Sequence, residues 1–75
     1  MKTFSHIVAK ADTLGGKPII KGTRISVEMI LEWLASGATV DGIVEKYPHL
    51  SKEAVNEAIF YASQAMKNEI VIEAS

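Results

Sequence analysis

Two histidines, nine carboxylates, eight lysine or arginine side chains and no cysteine are the reactive groups of this 75-residue chain. His6 and His49 stand 43 positions apart, with no HExxH and no carboxylate at ligand spacing on a shared helix, so no metal site is expected. No serine occupies a glycine-flanked nucleophile turn. Gly15-Gly16-Lys17 has the glycines and lysine of a phosphate loop, but Pro18 stands where that loop needs Ser or Thr, and no helix is expected to follow. Glu28, Glu32, Glu45, Glu53 and Glu57 fall at helical positions where a solvated face is expected. The reading is of a chain that is not an enzyme and needs no cofactor.

Binding chemistry is better supplied. Residues 1–24 hold Lys2, Lys10, Lys17, Lys21 and Arg24 against Asp12 alone, a net of +4. Residues 25–75 hold three lysines against eight acids, a net of −5. A chain divided in this way attracts its own other half, a second subunit, or an anionic partner through the basic end. For a nucleic-acid partner, Lys17, Lys21 and Arg24 are the candidate phosphate contacts, and Lys52, Asn56 and Phe60 the outward residues of a helix that would meet a DNA groove. Against this, the helix bearing Lys52 and Lys67 also bears Glu53 and Glu57, so its own charge cancels. Phe60, set among polar neighbours, is either a partly exposed aromatic or part of a surface for bases or a partner.

Those residues need elements to position them. Residues 3–25 read as an extended β arm, with a strand near Ile7–Ala9 and another within Ile19–Ile20 or Arg24–Ile25. Leu14 to Pro18 reads as a turn between them. Residues 26–68 read as a three-helix core. Ser26, Thr39 and Ser51 are the N-caps, and Gly37 and Tyr47-Pro48 the stops, giving helices of about 11, 8 and 16 residues. Val27, Ile30, Leu31 and Leu34 form the inward stripe of the first helix; Val55, Ala58, Ile59, Ala62 and Met66 form that of the third. Residues 69–75 read as a further strand or a tail. The expected fold is mainly α: a single domain built on a helix-turn-helix core of the winged-helix or homeodomain kind, preceded by the β arm.

A chain of this length buries only about 60% of its unfolded surface, which favours help from a second copy. Met29 and Trp33 lie opposite the first helix's stripe and need another cover, either the N-terminal arm or another chain. Together with Ile70 and Ile72 they are the candidate dimer or partner interface, the tail docking by strand addition. No apolar run approaches the ~20 residues that cross a bilayer, and Ser5, His6 and Lys10 interrupt any signal-peptide core, so a cytoplasmic location is expected.

One stretch is specific. Gly15-Gly16-Lys17-Pro18-Ile19-Ile20-Lys21-Gly22-Thr23-Arg24-Ile25-Ser26-Val27 is followed by Leu34-Ala35-Ser36-Gly37-Ala38-Thr39, Tyr47-Pro48-His49-Leu50-Ser51 and Ala58-Ile59-Phe60-Tyr61-Ala62. This pattern, over about residues 5–65, resembles the family catalogued as domain of unknown function 433. The family's Gly-Gly-Lys-Pro turn falls on Gly15–Pro18, its Gly-Thr-Arg on Gly22–Arg24 and its Tyr-Pro-x-Leu on Tyr47–Leu50. Its members look like VapB-type antitoxins. The resemblance implies a small homodimer with a helix-turn-helix core that pairs with a PIN-like ribonuclease toxin and binds double-stranded operator DNA. A protein-protein interaction module with no DNA binding is the alternative. Beside this, Gly22 permits a bend that points Arg24 toward the first helix, where it pairs with Glu28 or Glu32 or binds a phosphate.

Overall fold

The computed structural model describes residues 4–67. They form a small, mainly helical domain in which a β-hairpin precedes three helices. Strand β1 (Ile7–Ala9) pairs antiparallel with β2 (Pro18–Ile20), Ile7 opposite Ile20 and Ala9 opposite Pro18, and Ser26 adds an antiparallel bridge to Ile19. A single 3-10 turn at Leu14–Gly16 reverses the chain between the strands. The expected arm is therefore a closed hairpin whose Ile7, Ile19 and Ile20 are buried.

The helices begin where a hydroxyl can take an orphan amide. Ser26, Thr39 and Ser51 each accept the backbone N–H three residues on, from Met29, Gly42 and Ala54, all at 3.0 Å. They open α1 (Val27–Ala35), α2 (Val40–Lys46) and α3 (Lys52–Met66). Gly37, at φ +106°, ends α1: its N–H reaches the Leu34 carbonyl and the Ala38 N–H reaches Trp33, the paired closure that a left-handed residue after a helix allows. Pro48 follows Tyr47, the residue that caps the end of α2, and its ring keeps Tyr47 out of helical geometry.

Helix α3 is the hub, packing on α1, α2 and both strands. Ile30, Val55 and Ala58 are wholly enclosed, with Ile7, Ile20, Ile25, Val27, Ile43, Leu50 and Ala54 around them. Ser26 is buried too, and its cap hydrogen bond satisfies it.

Two expectations about helix rotation are corrected. Leu31, placed in the inward stripe, is 37% exposed, and Met66 is 54% exposed. Trp33, placed opposite that stripe, packs against the core. At about 100° per residue, Trp33 and Leu34 flank Ile30 at about 60° and 40°, while Leu31 lies about 100° away. The buried face of α1 is centred on Ile30 because Tyr47, after α2, closes over the Trp33 side: the two rings stack at 5.0 Å and 6°. Tyr47 of the same chain, and not the N-terminal arm, thus covers one face of Trp33, which remains half-buried. The expected strand or tail at 69–75, including Ile70 and Ile72, lies outside the described residues.

Candidate functional site

The candidate surface is the outer side of α3 with the turn that follows β2. Along α3, Lys52, Asn56, Phe60 and Ser63 are exposed at successive helical turns. Lys52 Nζ reaches back 3.2 Å to Asp41 Oδ1 in the first turn of α2, an ion pair with both side chains open to water. Asn56 is exposed. Phe60 is 40% exposed, and Phe4 lies against it with ring centroids 6.0 Å apart; Phe4 also meets the Tyr61 ring edge-on at 5.1 Å.

The turn Lys21–Arg24 is rigidly built. Gly22 takes φ +80°, open to glycine at little cost. Thr23 donates its hydroxyl to the Ile20 carbonyl and accepts the Ile25 N–H on the same oxygen, at 2.8 and 3.0 Å. The Lys21 N–H donates to the His6 carbonyl at 2.7 Å, tying the turn to the start of the hairpin. Lys21 and Arg24 are both exposed and make no ion pair among the described residues. Arg24 does not pair with Glu28 or Glu32. Lys17 takes that place, its Nζ 2.7 Å from Glu28 Oε1, because the Gly15-Gly16 reversal brings Lys17 to the N-terminus of α1. The hydrogen bond and charge of Glu28 raise the Lys17 ammonium above its ordinary value.

Glu57 was expected on a solvated face and instead anchors the N-terminal segment. Its side chain is only 19% exposed. It accepts the His6 backbone N–H at 2.6 Å and the Ser5 hydroxyl at 3.2 Å, and lies 3.0 Å from His6 Nδ1. Nothing in the spacing of residues 51 apart signals this contact. By residue type Ser5, His6 and Glu57 make up a catalytic triad; by geometry they do not. Ser5 Oγ sits at 3.2 Å from His6 Nδ1, the nitrogen that also faces the carboxylate, whereas a triad places serine and acid on opposite ring nitrogens.

Partial burial works against the charge of Glu57, but the hydrogen bonds from His6 and Ser5 outweigh it and hold the carboxyl below the usual carboxylate range. A lowered value means that Glu57 stabilises the fold fully above its ordinary pKa of 4.5 and loses that contribution as pH falls toward the folded value. The urea midpoint is therefore expected to drop between pH 5 and pH 3, and Glu57→Gln to lower it at pH 7 while flattening the acid fall. Equal acid slopes for the two proteins would contradict this role.

The remaining candidates do not join this surface. Met29 is half-buried beside a hollow lined by Leu14, Lys17, Glu28 and Glu32, on another face of α1. Trp33 and Tyr47 wall a second hollow of about 220 Å³ with Ile43 and Lys46, whose Nζ stands 5.7 Å from the Tyr47 ring centre. Among the described residues no three histidine or acidic side chains converge to hold a metal, and no helix is long and apolar enough to cross a membrane.

Known proteins share this framework. A crystal structure of a DUF433 member from Anabaena variabilis matches with a TM-score of 0.76 and 29% identity, over 79% of this chain and 58% of that one. The uncharacterized protein y4eO of Sinorhizobium fredii is 34% identical over 56 residues, which are 75% of this chain and 25% of the relative. The chain thus spans a quarter of the rhizobial protein and just over half of the cyanobacterial one. Residues 7–62, from the first strand to the third turn of exposed α3 positions, match the family described as protein of unknown function DUF433, and the chain belongs to that family.

Proposed function

We propose that this chain is the antitoxin of a toxin–antitoxin pair, a homodimer that binds a PIN-like ribonuclease toxin and operator DNA. The observation that carries the DNA half is the arrangement of α2, the Tyr47–Ser51 connection and α3, with α1 packed behind α3 and the outer side of α3 open. A short helix, a five-residue connection and a longer helix support reading the pair as a helix-turn-helix, whose second helix enters the major groove by its first turns. Lys52 and Asn56 occupy those turns, and Lys21 and Arg24 supply cations for the phosphates. The toxin half is supported only through the family, whose Gly-Gly-Lys-Pro and Gly-Thr-Arg pattern the Gly15–Val27 run carries and whose members look like VapB-type antitoxins.

The test is an electrophoretic mobility shift with the DNA upstream of its own gene, across a salt series. Binding is expected to weaken steeply with salt, and Lys21→Ala with Arg24→Ala is expected to reduce the log–log slope by about 4, two phosphate contacts in each copy of the homodimer. Binding indifferent to salt would overturn the phosphate roles. For the toxin, the purified chain is expected to inhibit RNA cleavage by a PIN-like nuclease encoded beside it.

A second reading, an interaction module that does not bind DNA, is favoured by two contacts. Lys52 is already paired with Asp41, and Phe4 lies against Phe60. Helix α3 then offers one lysine against Glu53 and Glu57, a weak field for a polyanion. Toxin inhibition without any mobility shift would select it.

A further inference from the structure

The N-terminal segment leaves the hairpin to cross α3. One step beyond the Ile7–Ile20 pair, His6 stands opposite Lys21, where an antiparallel ladder exchanges two backbone bonds. Only one of them is made. The Lys21 N–H reaches the His6 carbonyl at 2.7 Å, while the His6 N–H turns to Glu57 Oε2 at 2.6 Å. Strand β1 accordingly begins at Ile7, and the chain before it lies on α3.

The remaining side-chain bonds from this segment to α3 end on the same carboxylate. The Ser5 hydroxyl donates its one proton to Oε1 at 3.2 Å, so the His6 Nδ1 that stands 3.0 Å from Oε1 carries a hydrogen. Phe4 adds its ring, 6.0 Å from that of Phe60 and 5.1 Å from that of Tyr61. An ionised carboxylate accepts all three donors, whereas a carboxylic acid turns a donor of its own toward one of them. Ser5 is exposed, and Phe4 and His6 are half-buried, the kind of margin that opens separately from a core.

Of the charged groups on the packed elements, His6 alone acts on this carboxylate. Glu28 and Glu32 of α1 act on Lys17, Asp41 of α2 holds Lys52, and Lys21 and Arg24 after β2 make no ion pair among the described residues. On α3 itself, Glu53 and Tyr61 stand one turn to either side. A proton on His6 strengthens its attraction to Glu57, so the proton that opens the contact is the one on Glu57.

We propose that Phe4–His6 is a strap latched by Glu57. When that carboxyl takes a proton, the strap lifts from α3 as a unit, with the three-helix core still folded, and uncovers the sides of Phe60 and Tyr61 that Phe4 lies against.

NMR on the full chain from pH 7 to pH 3 tests it. NOEs between the Phe4 and Tyr61 rings are expected to vanish, and the His6 amide to lose protection, at a higher pH than the one at which the Trp33 indole, stacked on Tyr47, changes. Glu57→Gln removes the charge without acid. At pH 7 it is expected to abolish the same NOEs and to speed His6 amide exchange at least about tenfold, the loss of a charged acceptor, with helical circular dichroism and Trp33 fluorescence unchanged. Phe4, His6 and Trp33 signals that move together in one transition overturn the proposal, since Glu57 then holds the whole fold. Phe4–Tyr61 NOEs that persist in Glu57→Gln, or a variant without its helices at pH 7, overturn it as well.

Discussion

Ile30→Ala is expected to cost about 2–5 kcal/mol, the range found when a fully buried branched side chain is cut back to a methyl. Ile30 has no solvent exposure and sits at the centre of the buried face of α1. The residue is enclosed from several directions, since α1 packs on both α3 and β2 and the neighbouring atoms cannot close inward without moving an element. A 75-residue domain has a total stability of about 4–11 kcal/mol, so this one truncation removes a large share of it. Urea unfolding followed by circular dichroism gives the value. The contrast with its neighbour is part of the expectation: Leu31→Ala, at a 37% exposed site, is expected to cost under about 1 kcal/mol below the dimerisation concentration. Equal costs at 30 and 31 would mean that α1 is rotated so that Leu31 shares the core with Ile30.

Trp33→Ala is expected to cost about 2 kcal/mol, less than a fully buried aromatic because the indole is only half-buried. The loss has two parts. The stack on Tyr47 at 5.0 Å disappears, and the hollow of about 220 Å³ that the two rings wall becomes larger and wetter. The predicted consequence is a weaker hold of the α2–α3 connection on α1, visible as faster amide exchange at Tyr47–Ser51. Circular dichroism in urea reports the stability change, and light scattering on the same samples reports the mass. Unaltered stability with loss of the dimer would return Trp33 to an interface with another chain.

The local features of this molecule are legible in its residues. Ser26, Thr39 and Ser51 start helices because a hydroxyl reaches an amide three residues away with no help from the rest of the fold. Gly37 ends one and Pro48 another, through backbone preferences that each residue carries by itself. The strand at Ile7–Ala9, the reversal at Gly15-Gly16 and the three-helix order follow in the same way. Family membership is legible as well, since the matched residues 7–62 include the run from Gly15 to Val27.

What only the tertiary structure decided is how those elements face one another. The amphipathic pattern of α1 admits two rotations, one burying Leu31 and one burying Trp33. The choice falls to Tyr47, 14 positions beyond Trp33, which stacks on the indole. Glu57 looks like any solvated helical acid until the hairpin brings His6 and Ser5 to it across about 50 residues. Lys17 takes Glu28, and Arg24 is left open, because the reversal at Leu14–Gly16 sets where each cation arrives. Caps and turns are settled within three or four residues by hydrogen bonds and steric preference. Partners of a side chain depend on which surfaces the packed core leaves adjacent, and that is a property of the whole chain.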